Sequence, residues 1–393
     1  MRGPFAPLAH ARFRALWFAG LVSFLGTWVH NVAARWTAAT LSTSPIAVSA
    51  VDALQLAPMV LLSLFAGRLA DAHDRRNVLV ATNAGLSAVA LCMAGLAALD
   101  ALSLPVLLGL TGGMGVLGAL NGPAWQATVP RQVPDAEVPK AVALMSTGFN
   151  LARAVGPGAG AWMLVALGPA AAFLTNAVSY LVIGFLLSRL PPQPPNHGGG
   201  PVRSPLSEPG LVRLYVVGLF FGLFAMPSLS LLPVVARDAL QGDATSYGEL
   251  LSAFGIGAVA AGLAVASAVR RFGNRPFIAL TCVISAGGLA VLGGAHTLPV
   301  ALAGAALAGM GWIGTISTVN AGVQMRAPAE VRARALAYYL TFAVGGQASG
   351  SLLGGWAASQ FGLGVALRLC AGALVVVAVV VLAGYRRPSA GDS

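Results

Sequence analysis

Apolar residues dominate this chain in long runs that contain no Asp, Glu, Lys or Arg. A helix that crosses the hydrocarbon core of a membrane needs about 20 mainly apolar residues, so each run is long enough for at least one crossing. The longest holds two, separated near residues 296–299. These charge-free runs cover residues 77–99, 101–130, 154–188, 214–236, 276–325 and 369–385.

With the less hydrophobic stretches between these runs, the pattern predicts twelve membrane-spanning helices. The composition agrees, because 57% of the residues are hydrophobic, 9% are charged and the mean hydropathy is +0.80. The basic, apolar N-terminus imitates a signal peptide, but eleven similar segments follow it, so it is interpreted as the first span. The predicted helices cover residues 13–38, 45–66, 77–99, 103–124, 138–165, 170–188, 211–234, 246–269, 276–295, 299–323, 333–358 and 361–384.

A Pro/Gly-rich stretch at 189–210 divides these helices into two groups of six. It holds seven prolines and four glycines among 22 residues, a composition that does not pack a core. Landmarks repeat across it, since Gly156 and Gly350 share their 194-residue spacing with Trp162 and Trp356. We predict an all-α membrane protein of two pseudo-symmetric six-helix bundles around a central cavity, 1–188 and 211–393, joined by a linker.

Basic residues indicate the orientation in the membrane. All but four of the 23 fall on one side of the alternating path, and Lys and Arg favour the cytoplasmic face in short loops. Both termini and the linker are therefore predicted to be cytoplasmic, in a cytoplasmic (inner) membrane. The net charge of +11 reflects this topology and predicts no nucleic-acid partner, because no basic stripe with interleaved aromatics is present.

No motif predicts an enzyme, a cofactor or a metal. The three cysteines and five histidines are scattered without metal-ligand spacing. "GMGVLG" at 113–118 and "GMGWIG" at 309–314 imitate a dinucleotide fingerprint, but both lie in apolar helices, where small residues favour close helix packing. The only lysine lies in "VPKAV", so no ATP-binding P-loop exists.

The charge cluster "GRLADAHDRRNVL" at 67–79 resembles a signature of the major facilitator superfamily. The likeness to its exporters, similar to the enterobactin exporter and macrolide efflux proteins, also rests on "GTWVHNVAARW", "NGPAWQATVPRQVP" and "FNLARAVGPGAGAW". The helix pattern and the basic residues predict a tight cytoplasmic hairpin at 67–77, and the resemblance implies that this hairpin is a gate. The alternative is that its charges only signal topology. The gate residues that the resemblance implies are Gly67, Asp71, Arg75 and Arg76.

Four positions depart from the patterns of that superfamily. In the second-half copy of the charge cluster, "ASAVRRFGNRP", Arg270 stands in place of the aspartate. Ala72 replaces a basic residue and Asp74 replaces a glycine in the charge cluster. In the fifth predicted helix, Gly156, Pro157 and Gly160 resemble the antiporter signature, although Ala161 replaces its last glycine. The three matching residues are a candidate hinge, and they favour export.

Ionisable side chains inside predicted spans are candidate functional residues, because they are costly in hydrocarbon. Asp52, or failing it Glu249, is the candidate for proton coupling. A static ion pair between Asp52 and Arg35 is the structural alternative for that aspartate, and Arg35 and Glu249 are also placed to snorkel to the interface. The candidate cavity residues and charge partners are Arg35, Arg153, Asn31, Gln55, Asn121 and Asn150.

We predict a proton-coupled exporter of a small amphipathic molecule, a drug-like compound or siderophore, that works by alternating access. The alternatives are an uncoupled facilitator or importer, and a non-transporting receptor or scaffold. The expected partners are the small-molecule substrate, protons and the lipid bilayer, and the chain is expected to act as a monomer.

Overall fold

The computed structural model describes residues 3–193, 206, 208–328 and 331–383, and within them every regular element is helical. Two compact units divide the chain. Unit 1 comprises Met1–Thr43 and Ala50–Gly200, and unit 2 comprises Ser44–Ser49 and Pro201–Ser393. Within the helices, the side chains at 63, 64, 68, 70, 71, 150, 154, 209 and 333 lie outside the described part.

Unit 1 is built from long helices joined by short turns. A short 3₁₀ turn, Ala6–Ala9, precedes the first helix, and Val129–Gln132 and Asp135–Glu137 form two more before the last helix of the unit. An apolar core that includes Phe13, Leu79, Trp125, Leu144 and Leu187 joins the first helix to the last three of the unit. The helices are α1 Ala11–Leu41, α2 Pro45–Leu61, whose residues up to Ser49 are assigned to unit 2, α3 Ser63–Ala72, α4 Arg75–Ala98, α5 Leu104–Thr128 and α6 Val138–Ser188.

Helix α6 is a hairpin of two antiparallel arms. Gly168 has φ 78° and ψ 175°, a left-handed conformation that only glycine adopts readily, and Pro169 follows it. The hydroxyl of Thr175 lies 3.4 Å from the sulfur of Met163, although a straight helix separates positions twelve apart by about 18 Å. The chain therefore reverses at Gly168, in the interval between the predicted helices 138–165 and 170–188.

Unit 2 begins with an interrupted helix. Its first segment is followed by two short helical turns and by a π-helical turn, Val235–Ala239. Despite these interruptions, Gly210–Ala239 is long and apolar enough to cross a membrane as one span. Four long helices and a final apolar one follow. The segments are α7 Pro209–Ala225, α8 Pro227–Ser230, α9 Leu232–Val234, α10 Ala244–Phe272, α11 Asn274–Leu292, α12 Leu298–Arg326, α13 Arg332–Phe361 and α14 Leu363–Ala383.

Glycines let the helices of unit 2 approach closely. A Cβ on Gly257 would collide with the carbonyl of Ala306, and one on Gly309 with that of Phe254, so α10 and α12 touch through their backbones. A Cβ on Gly346 would likewise collide with the carbonyl of Leu219, between α13 and α7. Because lipid gives helices no hydrophobic reason to associate, such close packing stabilises the bundle.

Nine helices among the described residues are long and apolar enough to cross a membrane. The all-α class is thus confirmed, whereas the count of twelve stays a prediction. The predicted hairpin at 67–77 is wrong in extent, because α3 continues to Ala72 and only His73 and Asp74 separate it from α4. Hydropathy failed there because charged residues interrupt an apolar pattern without interrupting a helix.

Candidate functional site

A buried ion pair joins α1 to α2 in unit 1. Asp52 Oδ1 accepts from Arg35 Nη2 at 2.7 Å and from Nε at 2.9 Å, and Asp52 Oδ2 lies 3.1 Å from Nε. Arg35 is 4% exposed and Asp52 is 3% exposed, and Asp52 is the one buried carboxylate among the described residues. The structure thus brings together the two side chains whose static ion pair was the structural alternative for Asp52.

Two amides extend this pair along the same helix faces. Gln55 Nε2 donates to Asn31 Oδ1 at 2.9 Å. Asn31 precedes Arg35 by one turn of α1, and Gln55 follows Asp52 by about one turn of α2, so the four side chains form a ladder. We call these four residues the polar ladder. Four of the predicted candidates therefore lie in a single cluster.

Arg153 belongs to a separate aromatic group. Its guanidinium carbon lies 4.9 Å from the centroid of the Phe149 ring, one helical turn earlier in α6. The Phe149 ring also packs edge-on against Phe24 of α1 at 5.4 Å, and Phe24 packs against Trp125 of α5 at 6.3 Å. We call Arg153, Phe149, Phe24 and Trp125 the aromatic cluster. Phe149 is 42% exposed, so the cluster presents a cationic and aromatic surface.

The candidate hinge of α6 packs tightly on α1. A Cβ on Gly156 would lie 2.5 Å from Trp28 Cβ, and one on Gly160 would lie 2.9 Å from Val32 Cγ2. Pro157 is buried between them. Close approach to α1 is thus one physical reason for small residues here, and a hinge role stays a prediction.

The charge cluster at 67–79 forms hydrogen bonds within unit 1. Asp74 caps α4, since its Oδ1 accepts from the backbone N–H of Arg76 at 2.9 Å and from that of Gln193 at 3.1 Å. Arg76 Nη2 donates to the carbonyl of Ser188. These bonds fasten the start of α4 to the end of α6.

The other predicted gate residues give less information. Arg75 is buried, with 7% exposure. A Cβ on Gly67 would meet nothing within 4 Å, so no described contact requires glycine there. The side chain of Asp71 lies outside the described part. The gate role of all four residues stays a prediction.

The remaining candidates lie apart from the polar ladder. Asn121 Nδ2 donates to Thr82 Oγ1 at 2.8 Å and so joins α5 to α4. Glu249 of unit 2 is exposed, in the second turn of α10. The side chain of Asn150 lies outside the described part.

Sequence reasoning missed three features of this region. Phe149 had a signal, because it precedes Arg153 by four residues and so shares its helix face. Asp74 also had one, since an aspartate directly before a helix favours an N-cap. The hydrogen bond between His10 and Glu137, 3.1 Å apart, had no sequence signal, because 127 residues separate its partners.

Comparisons with known proteins agree with this architecture. The chain is 27% identical to the multidrug efflux pump Tap of Mycolicibacterium fortuitum over 376 residues, which cover 88% of this chain and 89% of Tap. It is 22% identical to the staphyloferrin A transporter of Staphylococcus aureus over 263 residues, which cover 64% of this chain and 66% of that transporter.

The fold is also similar to that of solved transporters. The nucleoside transporter NupG superposes with a TM-score of 0.74 at 13% identity, over 95% of this chain and 100% of NupG. The family described as transmembrane secretion effector matches residues 2–391. The chain therefore belongs to this family and is an integral membrane transporter of the major facilitator superfamily.

Proposed function

We propose that this transporter exports a small amphipathic molecule, a drug-like compound or a siderophore, in exchange for protons. The name of one relative, a multidrug efflux pump, supports efflux, and the name of the other, a staphyloferrin A transporter, supports a siderophore as an alternative substrate. The buried pair of Arg35 and Asp52 is the observation that carries the proton coupling.

The pair supports coupling because its two charges depend on each other. Protonation of Asp52 removes the negative charge that the buried guanidinium of Arg35 contacts, and losing this attraction is strongly unfavourable in a low-dielectric interior. A conformation that hydrates Arg35 or offers it another acceptor then becomes favoured. Proton uptake and a change of conformation are thereby linked, as antiport requires.

The amides of the polar ladder suit this role. Asn31 and Gln55 hydrogen bond to each other one turn from the charged pair, and an amide is able to donate to a carboxylate or to accept from a guanidinium. They are therefore placed to accept or donate hydrogen bonds when the pair separates. Separating Asp52 from Arg35 beside these amides therefore costs less free energy than exposing the two charges to hydrocarbon.

The aromatic cluster supports an amphipathic substrate. Phe24 and Phe149 offer ring faces and edges for an apolar body, and the half-buried Arg153 offers a cation for an anionic or polar group. A siderophore carries both kinds of group. The proposed roles are proton carrier for Asp52, its charge partner for Arg35 and substrate contacts for Arg153 and Phe149.

Transport by purified protein in proteoliposomes tests the proposal. Ethidium, other amphipathic dyes and iron chelators serve as probes, and a pH gradient of either direction is imposed. Wild-type protein is expected to accumulate a probe on the side from which protons leave. Asp52→Asn is expected to keep exchange at equilibrium and to lose accumulation against a gradient.

Matched variants separate the alternatives. Asp135→Asn makes the same chemical change at an exposed carboxylate and should transport normally. Loss of uphill transport in Glu249→Gln instead of Asp52→Asn would move the coupling site to unit 2. Wild-type transport that does not respond to the pH gradient would indicate an uncoupled facilitator.

A further inference from the structure

An open apolar groove of about 610 Å³ lies on the surface of unit 1, between α1 and the second arm of α6. Its walls include Ala15, Ala19 and Val22 of α1 and Val178, Val182 and Leu186 of α6. The exposed fractions of Val22 and Val182 are 56% and 48%. An exposed apolar surface of this kind suits contact with membrane hydrocarbon.

The shape of the groove follows from its sequence. Ala15 and Ala19 lie one turn apart on α1, and their small side chains leave a furrow beside the larger residues of α6. The lining residues of α6 run from Leu174 to Leu186, a length of about 18 Å along the helix. This elongated, apolar furrow fits a lipid acyl chain better than a compact solute.

Two arginines lie at one end of the groove. α1 and the second arm of α6 are antiparallel, because Thr27 bonds to Tyr180 at 3.0 Å while Phe13 packs with Leu187 in one core. The start of α1 and the end of α6 therefore meet at the same end. Arg12 lies one turn before Ala15, and Arg189 lies one turn after Leu186.

The guanidinium of Arg189 is held in place at this end. Its carbon lies 4.7 Å from the centroid of the Phe185 ring, and Phe185 is 58% exposed on the same face of α6. Arg12 is also exposed. Among the described residues, neither arginine forms an ion pair with a carboxylate.

Nearby carboxylates are already engaged. Glu137 pairs with His10, just before α1. Asp74 accepts from the backbone N–H of Arg76 at the start of α4 and from that of Gln193, five residues after α6. The end of the groove thus keeps a positive charge directly beside an apolar furrow, and guanidinium groups bind phosphate oxygens well.

We propose that this groove binds one anionic phospholipid, with its phosphate at Arg12 and Arg189 and an acyl chain between α1 and α6. The furrow supplies contact with the chain, and the two arginines supply preference for a negative headgroup. Basic residues at the ends of membrane helices attract anionic lipids in this way. The site does not depend on the transported substrate.

Native mass spectrometry of the detergent-solubilised full chain, titrated with phosphatidylglycerol or phosphatidylcholine, tests this site. One phosphatidylglycerol is expected to bind more tightly than phosphatidylcholine. Arg12→Gln and Arg189→Gln should each weaken its binding about fivefold, and the double variant about 25-fold. Equal binding of the two lipids to wild-type protein would overturn the proposal.

Arg213→Gln is the matched control, because it removes an exposed charge at the start of α7 in unit 2. It should leave lipid binding unchanged, and an equal loss there would show that net charge alone attracts the lipid. Arg12→Lys keeps the charge and should retain most of the binding.

Ala15→Phe tests the furrow separately from the arginines. The ring would occupy the space of the acyl chain, so phosphatidylglycerol should bind at least fivefold more weakly while both arginines remain. Inorganic phosphate at equal concentration should not displace the lipid. Wild-type affinity in both Ala15→Phe and the double arginine variant would overturn the proposal.

Discussion

Both units bury serines and threonines, but among the described residues only unit 1 also buries charged side chains. Among the described residues, the buried charged side chains are Arg35, Asp52 and Arg75, and all three belong to unit 1. The buried polar residues of unit 2 are serines and threonines, such as Thr281 and Thr315, whose hydroxyls lie 2.8 Å apart between α11 and α12.

This difference suggests a division of labour between the units. A buried ion pair is a poor source of stability, because desolvation offsets most of its attraction, so its presence favours a functional role. Short hydroxyl bonds and glycine contacts, in contrast, hold membrane helices together at small cost. We infer that unit 1 carries the ion-responsive groups and that unit 2 is fastened by packing.

The largest expected effect comes from breaking the buried pair. Arg35→Leu leaves the Asp52 carboxylate buried without its partner and should destabilise unit 1 by about 3–5 kcal/mol. The double variant Arg35→Leu/Asp52→Leu should recover most of that loss, since no buried charge remains. Thermal unfolding in detergent measures both.

A matched pair in unit 2 sharpens this test. Thr281→Val and Thr315→Val each remove the same hydroxyl hydrogen bond between α11 and α12. Each variant should lower the free energy of unfolding by about 0.6 kcal/mol. An Arg35→Leu effect as small as these would contradict the contrast between the units. So would a double variant at unit 1 that is no more stable than Arg35→Leu.

The next effect concerns the packing of unit 2. Gly346→Ala places a methyl group against the carbonyl of Leu219 and should destabilise by about 1–3 kcal/mol, because backbone has to move. Gly372→Ala on α14 meets nothing within 4 Å and should be neutral or stabilising, as alanine favours helix. The unfolding midpoints of the two variants are measured, and equal midpoints would contradict the claim that close glycine packing stabilises unit 2.

The smallest effect compares one helix cap in each unit. Asp74 accepts backbone N–H groups from two separate segments, so Asp74→Ala should cost about 1 kcal/mol. Asp243 caps only α10, through Thr245 and Ser246, and its carboxylate is exposed to solvent. Asp243→Ala should therefore cost less.

The cap on α10 also has a pH signature. The backbone N–H of Ser246, with that of Thr245, lowers the pKa of Asp243 below its ordinary value of 3.8. Its contribution to stability is thus complete above pH 3.8 and is lost as the pH falls through the lowered pKa. The difference between wild type and Asp243→Ala should shrink on acidification below that pH, and a constant difference would contradict the cap.

Sequence patterns predicted the apolar helices well and the charged helix ends poorly. The predicted helix 299–323 corresponds to α12, Leu298–Arg326, because an uninterrupted apolar run defines it. The predicted end at residue 66 missed α3, since helix geometry tolerates the charges of residues 68–71. Hydropathy reports what lipid accepts, whereas helix ends depend on caps such as Asp74.

The parts of the candidate site that could be predicted are ionisable residues inside membrane spans, where such residues are rare. An acid inside a span is conspicuous, so Asp52 and its neighbour Arg35 were identifiable without coordinates. The bond from Arg76 to the Ser188 carbonyl was not, because a backbone acceptor leaves no sequence signal. The packing of Phe24 on Trp125 and Phe149 depends on three helices meeting, which one sequence pattern does not determine.

The reversal of α6 at Gly168 has a consequence for how the protein is made. Its two arms are joined by Gly168 and Pro169 without a loop. Both arms pack on α1, the first parallel to it and the second antiparallel. Only the tip of this hairpin has to pass to the far side of the bilayer during synthesis. The two arms are therefore suited to enter the translocon together as one helical hairpin, once α1 is already in the membrane to receive them.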